Sequence, residues 1–180
     1  EHAEQAMREL RVRWKPWPGL PDLGSAEALQ QALRTNPATQ RRLVDEGDVE
    51  AARAAAAQPM DRTYVWPYQL HASLGPSCAV AHWQPAGHSP RLAVWAGTQN
   101  PHVLRADLAR LMELADVDID LVRLEASGCY GRNGADDVAA DAALLSRAVG
   151  APVRVQLTRE QEHLWEPKGT AQLMQVRGGL

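Results

Sequence analysis

Residues 91–124 decide the fold class. They begin Arg91-Leu92-Ala93-Val94-Trp95, an apolar run of strand character, and pass through Ala96-Gly97-Thr98-Gln99-Asn100 into Pro101–Leu114. Within Pro101–Leu114 the apolar residues at 103, 104, 108, 111 and 112 keep the three-and-four spacing of a helix face. Asp118–Leu124 then alternates, with Ile119, Leu121, Val122 and Leu124 apolar, and predicts a second strand. Strand, helix and strand in this order form a crossover unit. A second unit follows. Asp136–Val149 is strongly helical and ends at Gly150, a natural C′ residue. Pro152–Leu157 predicts a strand with Val153 and Val155 on one face, and Thr158 with Gln161 three residues on predicts a capped short helix. The expected class is α+β (mixed α/β), with a mixed sheet built from strand–helix–strand units.

Upstream, Arg62–Leu70 and Cys78–Trp83 are further strand candidates, and Pro67 marks an edge or a bend. Pro85-Ala86-Gly87 separates Cys78–Trp83 from Arg91–Trp95. Trp66, Trp83 and Trp95 are expected in the core or on a cleft wall. Residues 1–10 have helical spacing, Arg11-Val12-Arg13-Trp14 alternates like a short strand, and Lys15 to Pro21 is a loop. Ser25 is a suitable N-cap for a helix over Ala26–Arg34 that stops at Asn36-Pro37. Residues 38–58 are polar and Ala-rich, consistent with one or two short helices or a linker. The organisational boundary is placed near 58, dividing the chain into 1–58 and 59–180. The start at Glu1 and the close at Arg177-Gly178-Gly179-Leu180 read as cut ends of a longer polypeptide. Gly178-Gly179 reads as a turn after the alternating stretch 171–176.

The chain has 180 residues and a formal net charge of −3, with 45% hydrophobic and 23% charged residues. That is ordinary for a globular protein and argues against a nucleic-acid-binding domain, which is usually distinctly basic. No apolar run approaches the ~20 residues of a membrane span. Two cysteines, Cys78 and Cys129, make neither a disulfide framework nor a zinc site. The histidines at 2, 82, 88, 102 and 163 offer no i, i+4 pair on a helix, so a metal site made of side chains is not expected.

Three segments carry candidate chemistry. Ser127-Gly128-Cys129-Tyr130-Gly131-Arg132-Asn133-Gly134 joins a strand to a helix, where a Gly-rich turn can aim backbone N–H groups at a ligand. It lacks the Gly-Lys-Ser/Thr ending of a phosphate loop, and glycines serve ordinary turns equally well. Asp136 and Asp137 occupy the helix start, so a ligand here would be met by loop backbone rather than by the helix end. In Trp95–Pro101, Thr98 and Asn100 are ordinary cap residues, whereas Gln99 needs no cap role and can point into a cleft. Gln69–Cys78 mixes His71, Ser73, Ser77 and Cys78; a Cys78–His71 hydrolase pair is conceivable, and a structural cysteine is the plainer account.

Taken together, and in this order and spacing, Tyr68–Ala81, Trp95–Gln99, Gly128–Asp137, Pro152–Gln156 and Thr158–His163 resemble the large subunits of molybdenum hydroxylases, the xanthine dehydrogenase and aldehyde oxidase group. The resemblance is strongest to the branch with isoquinoline 1-oxidoreductase and nicotinate dehydrogenase large subunits. It covers about residues 59–180, which would be the first part of the molybdenum-cofactor-binding domain. Residues 1–58 would then be the end of the preceding domain and a connecting segment. It implies that Gln99 lies beside the molybdenum and hydrogen-bonds its apical oxygen ligand. It further implies that Gly128, Cys129, Tyr130 and Gly131 lie against metal and pterin. The implied cofactor is molybdenum–molybdopterin, in its cytosine dinucleotide form. The implied reaction is hydroxylation of an N-heterocyclic aromatic or an aldehyde with oxygen from water. Electrons would pass through a small iron–sulfur partner subunit to a downstream acceptor, and no nucleic acid is involved. Cytoplasmic and periplasmic or inner-membrane-associated settings both remain open.

Two departures qualify the resemblance. Where xanthine dehydrogenases carry a substrate-binding glutamate, this chain has Asn133 or Gly134, which argues against a purine substrate. The glutamate base of the family would lie beyond Leu180, so the chain by itself is expected to be inactive. The competing reading is a non-catalytic interaction domain with the same fold and no cofactor.

Overall fold

The computed structural model describes residues 2–18, 23–85 and 90–180. Glu1, the end of the predicted 15–21 loop, and Ala86, Gly87 and His88 lie outside the described residues. In chain order the elements are α1 (His2–Glu9), α2 (Ala26–Thr35), α3 (Val49–Ala55), β1 (Pro59–Trp66), β2 (Cys78–Gln84), β3 (Arg91–Ala96), α4 (Pro101–Met112), a 3₁₀ turn (Asp116–Asp118), β4 (Ile119–Arg123), α5 (Ala135–Val149), β5 (Val153–Gln156), α6 (Arg159–Trp165) and β6 (Gln172–Gly179). They divide into two compact units, one of residues 1–65 with 173–180 and one of residues 66–172.

In the first unit, Ser25 caps α2 by accepting the Ala28 N–H at 3.0 Å, and Asp48 caps α3 by accepting the Ala51 N–H at 2.9 Å. The stretch 38–58 thus holds a single short helix. Arg11–Trp14 is irregular rather than a strand. Alternation over four residues defines a strand only when a neighbour supplies the ladder. β1 and β6 form a two-stranded sheet. Gln58 and Leu180 exchange both backbone hydrogen bonds (3.0 and 3.4 Å), the antiparallel pattern. Gly178 and Gly179 lie inside β6, not in a turn. A Cβ at Gly179 would collide with the Ala56 side chain, so glycine serves a close backbone approach there.

The second unit is a four-stranded mixed sheet in the order β4-β3-β2-β5. β3 and β4 are parallel, joined by α4; β2 is antiparallel to both β3 and β5. The first crossover links neighbours, and the second, through α5, carries the chain from one edge of the sheet to the other. α5 packs on β2, β3 and β5, and α4 packs on β4 and α5. The core between them is made of Ala79, Ala81, Leu92, Val94, Ala96 and Ile119 from the strands. Leu104, Leu108 and Met112 of α4, with Val138, Ala139, Ala142 and Ala143 of α5, complete it. The alternating strand positions form one buried face, and the small residues of α5 let that helix approach the sheet closely. Ser146 of α5 bonds the Trp83 N–H at 2.8 Å and the Ala151 carbonyl at 2.7 Å, tying the helix end to β2. Trp83 packs against this core and carries Arg147 over its ring at 5.9 Å. Trp66, expected in the core or on a cleft wall, is 53% exposed; β1 ends there with one neighbouring strand. Gly150 takes φ +67° and ends α5 as expected, and Thr158 with Gln161 forms the capping box of α6.

Candidate functional site

The three chemistry-bearing segments meet at one end of the second unit's sheet. β3 and β4 both leave the sheet there, delivering 97–100 and 124–134, and the segment 67–77 enters β2 beside them. Loops at the carboxyl ends of adjacent parallel strands are where open sheets hold their ligands. A cleft of about 280 Å³ opens at this point, lined among others by Ser77, Cys78, Gly97, Ser127, Gly128 and Asn133.

Side-chain-to-backbone bonds sew the segments together. Ser127 Oγ accepts the Gly75 N–H at 2.8 Å and donates to the Gly75 carbonyl at 3.2 Å, while the Leu74 N–H reaches the Ser127 carbonyl at 3.0 Å. Gly97 lies so near the following loop that a Cβ on it would stand 2.7 Å from the Ala126 Cβ. Asn133, buried at 5% exposure, donates from Nδ2 to the Gly97 carbonyl (3.2 Å) and accepts the Ala135 N–H (3.2 Å). Thr98, also buried, donates to Asp136 Oδ1 at 2.5 Å and accepts the Asn100 N–H at 3.1 Å. Asn100 therefore occupies the N-cap position of α4 without using its own side chain.

Gln99 is exposed and points to the glycine loop. Its Nε2 donates to the Gly131 carbonyl at 2.7 Å, and its Oε1 accepts the Asn133 N–H at 3.2 Å. The loop itself is sharply bent: Gly128, Tyr130 and Gly131 have φ of +93°, +41° and +139°. The Tyr130 ring folds back over Gly128, where a Cβ would lie 2.9 Å from it. Tyr130 is exposed, and Gly128 and Cys129 are half-buried. Among the described residues, nothing in the chain accepts a hydrogen bond from the backbone N–H groups of Gly128–Gly131. Successive backbone donors in such a turn make a concavity suited to an oxygen ligand.

The acidic residues sort into three roles. Asp136 is spent on Thr98 and on the Arg132 guanidinium, 2.5 Å away. Asp137 has its carboxyl raised above the ordinary value, first by partial desolvation and then by Asp136 and Asp141, with Arg132 opposing. Glu162 of α6 and Glu166, the residue that caps its C-terminus one turn later, are almost wholly buried. Glu162 accepts the Ser77 N–H (2.7 Å) and Oγ–H (2.9 Å), and Glu166 accepts the N–H groups of His71 (2.5 Å) and Ala72 (3.1 Å). Sequence inspection gave these two no role. The signal available was a glutamate pair at i, i+4 directly after a capping box.

The Cys78–His71 pair does not assemble. Cys78 lines the cleft, whereas the His71 ring is committed to Arg132, whose N–H meets Nδ1 at 2.8 Å. Among the described residues no group of histidine, cysteine and acidic side chains could hold a metal, and no helix is long and apolar enough to cross a membrane.

The fold and site thus define a mixed-sheet domain that offers a ligand loop backbone at its strand ends. The chain belongs to the molybdopterin cofactor-binding domain family, which matches residues 33–180. One of the nicotinate dehydrogenase subunits of Pseudomonas putida is 60% identical over 184 residues, covering 100% of this chain and 15% of that relative. One of the subunits of a probable xanthine dehydrogenase from Bacillus subtilis is 27% identical over 169 residues, covering 89% of this chain and 22% of that relative. Among solved structures, quinoline 2-oxidoreductase from Pseudomonas putida 86 superposes with a TM-score of 0.73 at 18% identity, over 98% of this chain and 23% of that one. The aldehyde oxidoreductase of Desulfovibrio gigas gives 0.56 at 19% identity, over 73% of this chain and 14% of that one. Both structures share the fold. The chain spans less than a quarter of the length of each of these relatives.

Proposed function

We propose that this chain is part of the large subunit of a molybdenum hydroxylase that oxidises an N-heterocyclic aromatic, a nicotinate-like ring being the first to test. The identity to one of the nicotinate dehydrogenase subunits supports the substrate class. By the resemblance, Asn133 or Gly134, both buried, takes the place of the substrate-binding glutamate of xanthine dehydrogenases, which speaks against a purine. Residues 59–180 open the cofactor domain, and 1–58 lead into it from a preceding one. In this reading a small iron–sulfur subunit takes the electrons.

The observation that carries this reading is the Gly128–Gly131 loop, held open by Gln99. The residues fit the cofactor: three of the loop's four residues sit at positive φ, its donors face no protein acceptor, and its two glycines let the backbone bend closely around Tyr130 and His71, where a Cβ would collide. When bound, the molybdenum–pterin group, in our proposal the cytosine dinucleotide form, supplies the redox chemistry and the transfer of water-derived oxygen. The loop backbone would donate to its oxygen ligand. Gln99 fixes the height of the loop through Gly131 and Asn133, and its Nε2 keeps a second hydrogen that can be directed to that ligand. Thr98, Asp136 and Arg132 lock the turn into α5. The base that completes the reaction is placed in the remainder of the subunit, so the chain alone does not turn over.

The test is elemental analysis of a full-length subunit carrying this sequence, co-produced with its small partner. About one molybdenum per polypeptide is expected. None, from a host that loads a control enzyme, overturns the reading in favour of a binding domain without cofactor.

A further inference from the structure

His71 lies 61 residues before Arg132 and 95 before Glu166, yet it touches both. We propose that His71 is a positioning residue for the cofactor loop, holding its Gly131–Arg132 end through a ring whose own backbone Glu166 anchors; this rests on the cofactor reading above. His71 Nδ1 is 2.8 Å from the Arg132 nitrogen and 2.9 Å from the Arg132 carbonyl oxygen. Either tautomer of the ring therefore has a partner on the same residue. The ring's other edge lies under Gly131, where a Cβ would stand 2.5 Å from Cδ2 and 2.7 Å from Nε2. Glycine at 131 and histidine at 71 are thus one fitted pair.

The backbone that carries the ring is itself held. The Glu166 side chain has no exposed surface; its Oε1 accepts the backbone N–H groups of His71 and Ala72 and lies 3.5 Å from Nδ1. Ala72 takes φ +52°, a conformation a non-glycine residue keeps only when its surroundings fix it. Arg159, one helical turn before Glu162, binds the Ser73 and Leu74 carbonyls at 2.9 and 2.6 Å. Residues 71–74 are thereby held at both ends of α6.

The cofactor loop, by contrast, has few supports of its own. Its carbonyl at Gly131 and the N–H of Asn133 are held by Gln99, and the N–H of Arg132 by His71. Two side chains from two different loops therefore hold the backbone at its Gly131–Asn133 end. Partners that orient a metal site from behind its immediate contacts change affinity or activity by about 10–100-fold when removed.

The experiment compares wild type, His71→Asn and His71→Leu in the full subunit co-produced with its iron–sulfur partner. Two readouts are taken: molybdenum per polypeptide, and the electron paramagnetic resonance spectrum of the partly reduced molybdenum. Asparagine places an acceptor and a donor at the depth of Nδ1, whereas leucine fills the volume and offers neither. We expect His71→Asn to keep the wild-type spectrum and loading. His71→Leu should lower loading about tenfold or shift the spectrum. If leucine matches wild type, or performs better than asparagine, His71 is only packing and the inference falls. Should the leucine variant not accumulate as folded protein, His71→Ala takes its place with the same two expectations. A wild-type subunit without molybdenum, beside a loaded control, instead overturns the cofactor reading and this inference with it.

Discussion

At the scale of single residues, glycines at superficially similar positions carry different burdens. Gly150 has φ +67° with nothing within 4 Å of a would-be Cβ, so Gly150→Ala meets only the left-handed backbone penalty of about 1–2 kcal/mol. Gly131 combines φ +139° with a collision against His71. That backbone region is essentially reserved for glycine, and occupying it with another residue costs about 1–3 kcal/mol before any clash is counted. Gly131→Ala should therefore lower the urea midpoint more than Gly150→Ala does, and only Gly131→Ala should also deplete molybdenum in the full subunit. Equal losses from the two would mean that the His71 contact is easily relieved. Gln99→Ala leaves the Gly131 carbonyl and the Asn133 N–H without their partner. In the loaded enzyme it should reduce kcat about 10–100-fold, and unchanged kinetics at full molybdenum content would remove Gln99 from the site. The glycines and Gln99 could be singled out in the sequence because their types are unusual for where they stand. Their mutual bond could not, since 32 residues separate Gln99 from Gly131 and no local rule relates them.

Among the elements, α6 shows how a seven-residue helix can matter beyond its size. Arg159 and Glu162, with Glu166 at its C-cap, face the segment 71–77, and the carboxylates satisfy backbone donors that have no strand to join. Removing a buried acceptor exposes the full desolvation cost of its donors, about 1–3 kcal/mol for each. Glu162→Ala should therefore destabilise the chain by several times that of an average surface change. It should also speed hydrogen exchange at the Ser77 amide while leaving α5 protected. Unaltered exchange at Ser77 would show that water replaces the carboxylate without loss. α4, α5 and the α6 cap were legible because helical periodicity and capping are local. Arg11–Trp14 misled for the opposite reason: its alternation is local, but a strand needs a partner. Gly178-Gly179 misled because a close approach to Ala56 and a turn both call for glycine, and the sequence does not distinguish them.

For the whole molecule, strand order was the least legible feature. β5 lands beside β2, across the sheet from β4, through pairings such as Cys78 with Gln156 that no local pattern announces. That arrangement fixes where α5 begins: its first turn stands next to the loops of the site, and Asp136, Asp137 and Asp141 crowd one end. The pH dependence of stability follows. The native Asp137 carboxyl is raised above the ordinary aspartate value of 3.8, chiefly by desolvation and then by its two acidic neighbours. The folded chain therefore holds this proton more tightly than the unfolded one. As pH rises through 3.8 the unfolded form releases its proton first, so stability falls across the window up to the raised native value and stays lower above it. Asp137→Asn removes that loss, because an amide does not titrate. Relative to wild type, the variant should gain stability at about pH 7 and lose most of that gain at about pH 3.5, where Asp137 is largely protonated in both states. Urea midpoints at the two pH values decide it. A gain that is the same at both would point to helix propensity rather than charge, and a loss at neutral pH would mean that Arg132 and the helix dipole outweigh the crowding of carboxylates.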